Sequence, residues 1–78
     1  MEYIEVPDGL IEKDLIRQVI KSERETYEGD VIYRLSILQD EEKFTRIYEK
    51  SKKYYNKAEQ WRDELYDNIK KQLTEKKS

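Results

Sequence analysis

A chain of 78 residues, 44% charged and 36% hydrophobic, has the material for one small domain and little to spare for a core. It has no cysteine and no histidine, which excludes disulfides, leaves carboxylates as the only metal ligands to weigh, and makes oligomerisation the remaining supplement to a thin core. The formal net charge of −2 is unevenly spread, with nine acidic and four basic side chains in residues 1–30 but six basic and one acidic in residues 43–57. Such regions can attract each other, or the basic one can attract an outside anion.

In chain order, residues 2–6 (EYIEV) favour an extended segment ending at Pro7. Asp8 reads as a helix N-cap. Leu10, Ile11, Leu15, Ile16, Val19 and Ile20 then recur in doublets four or five apart, predicting a helix over about 9–27. Gly29 is its natural stop, because glycine accepts the left-handed conformation at low cost. Residues 31–38 (VIYRLSIL) read either as a strand, centred on 31–36, or as a short helix capped by Asp30.

From Asp30 to Ser78 there is no glycine and no proline. Phe44, Ile47/Tyr48, Ser51, Tyr54/Tyr55, Ala58, Trp61, Leu65, Ile69 and Leu73 advance by three or four, predicting a long helix over about 40–75 with a frayed tail at 75–78. Glu42–Arg46, Glu49–Lys53 and Asp67–Lys71 are acid-to-base pairs at the spacing that supports a helix. The expected fold is therefore mainly α: helix 9–27 packed on helix 40–75, with a short strand at 2–6.

The segment EYIEVPDGLIEK (residues 2–13) is similar to the strand-and-helix opening of ribbon-helix-helix DNA-binding proteins, which implies a strand entering the major groove as a pair. The likeness covers about a dozen residues. The chain departs from the pattern in the long stretch from Pro7 to Gly29 and in a strand carrying Glu2 and Glu5 with no basic residue, so no DNA-contacting position is carried over.

Little here carries chemistry. Without His or Cys, without a nucleophile elbow and without a glycine-rich phosphate loop, an enzyme is not expected, nor a cofactor or small-molecule substrate. Asp40–Glu41–Glu42 read as a helix start, and Glu59, Asp63 and Asp67 as a solvated face, rather than as metal ligands. No apolar run approaches the roughly 18 residues of a membrane span, and MEYIEVPDG lacks a signal pattern, so a cytoplasmic protein is expected.

Helix 9–27 would span about 28 Å, too short to cover a stripe of about 45 Å. Tyr54, Ala58, Trp61, Leu65, Ile69 and Leu73 would then form an interface, which predicts a helical dimer that binds another protein as adaptor, inhibitor or small regulator. The alternative is a nucleic-acid-binding regulator using Lys43, Arg46, Lys50, Lys52, Lys53 and Lys57 for phosphates and the neighbouring tyrosines for bases.

Overall fold

Tyr3–Val6 (β1) and Gly9–Glu12 (β2) pair antiparallel, with Ile4 opposite Ile11 and Val6 opposite Gly9. The computed structural model describes residues 2–41 and 44–75, so Met1, Glu42, Lys43 and the tail beyond Glu75 lie outside the described residues. Pro7 and Asp8 make the turn, and Gly9 follows with φ +145°, a backbone conformation that side chains resist. The predicted helix over 9–27 is thus replaced at its start by a returning strand, which also removes the helix implied by the ribbon-helix-helix likeness. After one 3-10 turn at Lys13–Leu15 the chain extends again as β3, Ile16–Glu25.

β3 pairs antiparallel with β4 (Val31–Gln39), and β4 with β5 (Arg46–Ser51), giving a three-stranded sheet with β4 at its centre. Gly29, with φ +81°, turns the chain between β3 and β4 instead of ending a helix. The register places Val19 opposite Ile37, Lys21 opposite Leu35, and Leu35 opposite Tyr48. Alternation along each strand then sends these residues to one face and their neighbours to the other. The doublets that resembled a broad helical face are explained by this geometry: Val19 faces the core and Ile20 the opposite side, so both are apolar at successive positions.

The long helix over 40–75 is shortened to α1, Ala58–Thr74, about 25 Å of rod. Its expected first half is strand β5 and a turn, where Ile47 and Tyr48 point to opposite faces of the sheet. The helical pair Glu49–Lys53 gives way to a cross-strand bridge, Arg34 to Glu49 at 2.8 Å.

The chain is accordingly mainly β, and neither the mainly α fold nor a coiled coil is retained. The stripe expected to seat a helical dimer has a neighbour within the chain. The apolar stripe of α1 is already covered by the chain's own sheet and hairpin, through a cluster of Ile4, Ile11, Val19, Leu35, Ile37 and Ile69. Ile4, Leu35, Ile37 and Ile69 are each almost wholly buried, and burying such a side chain contributes about 1.5–3 kcal/mol. No helix among the described residues is long and apolar enough to cross a membrane.

Candidate interaction surfaces

Ala58 and Ile69 are fully buried, and Leu65 and Leu73 close the rim of the core cluster. Trp61 is half-buried with the Lys50 ammonium 5.1 Å from its ring, and Tyr54 stands exposed in the turn before α1. Of the residues assigned to an outward-facing helix stripe, four therefore hold the helix to its own sheet.

The basic segment also divides. Arg46 is bound to Asp8 at 3.1 Å, and Lys50 lies between the rings of Tyr55 and Trp61. Lys52, Lys53 and Lys57 remain exposed. Lys43 lies outside the described residues.

Two carboxylates organise the titratable groups. The Tyr48 hydroxyl donates to Asp8 Oδ1 at 2.6 Å, joined by the Arg46 guanidinium. The Tyr48 hydrogen bond, then the Arg46 charge, hold Asp8 below its usual value, while burial and the bond to Asp8 push Tyr48 up to about 12. A tyrosine so raised is a poor proton donor or acceptor near neutrality, so this cluster reads as the latch that ties the β1–β2 turn to β5.

Asp30 makes the second node. It accepts from the Ser51 hydroxyl and from the backbone N–H groups of Val31 and Lys53, at 2.8 and 2.9 Å. The Ser51 bond leads in lowering its pKa. Among the described residues no three carboxylates converge as a metal site.

One further surface was not anticipated from the sequence. α1 and the β1–β2 hairpin both pack on one side of the three-stranded sheet. The other side presents Gln18, Ile20, Ser22 and Arg24 from β3, Ile32, Arg34, Ser36 and Leu38 from β4, and Ile47, Glu49 and Ser51 from β5. Ile47 is half exposed, and Ile20, Ile32 and Leu38 are partly so. None of the lysines among the described residues lies on this face, although lysine is the chain's commonest cation. The signal that could have revealed it is the adjacent apolar pairs Val19–Ile20 and Ile37–Leu38, which give a strand an apolar residue on each side.

No known family, curated protein or solved structure matches the chain, so its function rests on these surfaces alone.

Proposed function

We propose that this protein is a non-catalytic interaction module whose binding surface is the open face of the β3–β4–β5 sheet and whose partner there is a second copy of the chain. The observation that carries the reading is the composition of that face. It is depleted of lysine and carries four exposed or partly exposed aliphatic residues around a paired Arg34 and Glu49. Interface cores show the same bias, with lysine and other charges depleted and arginine retained.

Self-pairing suits the charge pattern. Arg34 and Glu49 are direct neighbours on adjacent strands, so a two-fold axis running between β4 and β5 along the strands sets each arginine against the other copy's glutamate. Magnitude limits the affinity. Three strands about 4.8 Å apart, of 10, 9 and 6 residues, cover roughly 400 Å², below the area of a standard stable interface. The dimer is therefore expected to be weak, with a Kd in the micromolar range or above.

Sedimentation velocity from about 10 to about 500 µM tests this range. The expected result is a mass that rises with concentration and is returned to monomer by Ile47→Lys, a change at a half-exposed position that leaves the melt of the monomer intact. A monomer throughout the series would remove the reading.

A further inference from the structure

We propose that the end of the molecule where the β3–β4 turn meets the segment before α1 is a binding site for single-stranded nucleic acid, with Tyr27, Tyr54 and Tyr55 stacking on bases and Lys52, Lys53 and Lys57 pairing with phosphates. The site does not depend on self-association, and none of its six ligand-contacting residues belongs to the open face.

Exposure is the first observation. Tyr27 and Tyr54 are 110% and 83% exposed, and Tyr55 is 42% exposed, so their rings stand in solvent where most large aromatics would be covered. Sequence separates Tyr27 from Tyr54, but the backbone brings their segments together. Lys52 N–H donates to the Val31 carbonyl at 2.9 Å, Lys53 N–H donates to Asp30 at 2.9 Å, and the Ser51 hydroxyl donates to the same carboxylate. The Tyr27 turn is itself closed by Thr26 N–H to the Asp30 carbonyl at 2.8 Å and Gly29 N–H to the Thr26 carbonyl at 3.1 Å. The two tyrosine-bearing segments are therefore fixed in relation to each other before any ligand arrives, which lowers the ordering cost of binding.

Charge is the second observation. Residues 50–57 carry four lysines and no acid. The nearby Asp30 carboxylate is engaged on both oxygens, and Glu28 lies 3.7 Å from the Lys53 ammonium. The Lys53 ammonium sits 5.7 Å from the Tyr54 ring centroid, placing a cation beside a stacking surface.

Residue type decides between ligand classes. Neither 26–30 nor 51–57 contains an aliphatic side chain, the reverse of the open sheet face, and lysine is depleted at protein interfaces but suited to phosphate. Tyrosine rings with interleaved lysines are the combination that holds single strands without reading sequence.

Fluorescence anisotropy with labelled oligo-dT and oligo-U of about 15 nucleotides tests the site. Binding is expected to weaken with salt at a log–log slope of about −2, since three phosphate contacts contribute about −0.7 each on single strands. Tyr27→Ala with Tyr54→Ala should weaken binding about tenfold or more with the slope retained. Replacing Lys52, Lys53 and Lys57 by alanine should flatten the slope. All five positions are exposed, so circular dichroism melts should match the wild type. Absence of binding at about 50 mM salt overturns the proposal, as does a tyrosine variant that binds like wild type. Displacement by polyglutamate as effective as by oligonucleotide also overturns it, assigning the end to an acidic peptide.

Discussion

The carboxamide of Gln72 closes the outer edge of β1 by bonding twice to Glu5. Its Oε1 accepts from the Glu5 N–H at 2.7 Å and its Nε2 donates to the Glu5 carbonyl at 3.0 Å. A side chain on α1 thus performs for one residue what a neighbouring strand would do, and Asn68 orients it through a bond of 2.8 Å to the same Nε2. A free strand edge would otherwise present these groups to other chains.

Gln72→Ala should lower stability by about 1 kcal/mol, because both bonds are solvent-exposed and water can replace them. In a domain of this size that corresponds to a Tm about 4–8 °C lower. Gln72→Glu should not recover it, since a carboxylate cannot donate to the Glu5 carbonyl. Thermal melts and faster exchange of the Glu5 amide check both expectations.

Arg62 joins the helix to β3. Only 6% exposed, it donates to the Ser22 carbonyl and to Glu23 at 3.0 Å each, reaches Asp63 at 2.9 Å, and lies with its guanidinium 5.0 Å from the Tyr33 ring. Burial works against its charge, but the bonds to Glu23 and Asp63 outweigh that and raise its pKa. Arg62→Lys keeps the charge and loses the planar fork, so it should cost about 1–3 kcal/mol. The urea midpoint should fall with an unchanged slope; a wild-type midpoint would show that the fork contributes nothing.

Stability should decline at both ends of the pH scale for separate reasons. Asp8 and Asp30 are held below their ordinary 3.8, so their contribution is present above that value and is lost as pH falls through the lower folded value. Tyr48 behaves oppositely. Its pKa rises from 10.0 to about 12, so above pH 10 the unfolded chain releases this proton while the folded chain keeps it, and stability falls between these values. Tyr33, raised chiefly by burial, acts in the same direction. Tyr48→Phe should shrink the alkaline loss without abolishing it, and should move part of the acid transition upward by freeing Asp8. Urea midpoints measured across pH read both effects.

Ile69→Ala should destabilise the fold by about 2–5 kcal/mol, because Ile69 is fully buried against the sheet's apolar residues and leaves a cavity. The loss should be identical at low and high protein concentration. A concentration-dependent loss would place this contact between chains.

How much of this was legible depends on where a local pattern had only one structural solution. In α1, Ala58, Trp61, Leu65, Ile69 and Leu73 follow a helical period with no competing reading, and a helix forms there. The extended segment expected at 2–6 is a strand, and 31–38, which the sequence left open between strand and helix, is a strand continuing to Gln39. At Leu10–Ile11, Leu15–Ile16, Val19–Ile20 and Ile47–Tyr48 the apolar residues come in adjacent pairs. Such pairs fit a broad helical face and equally fit a strand with apolar residues on both sides.

The chain's own residues thus determined that catalysis by His or Cys is excluded, that a C-terminal amphipathic helix exists, and that a basic, tyrosine-rich stretch precedes it. Tertiary structure alone decided what those elements face. It turned the helix stripe inward, brought Tyr48 to Asp8 and the segment of Tyr27 beside that of Tyr54, and left the lysine-free sheet face open. The physical reason is that hydrophobic periodicity reports only which residues share a side. Pairing between strands distant in sequence determines whether that side is covered, and those partners are absent from any local window.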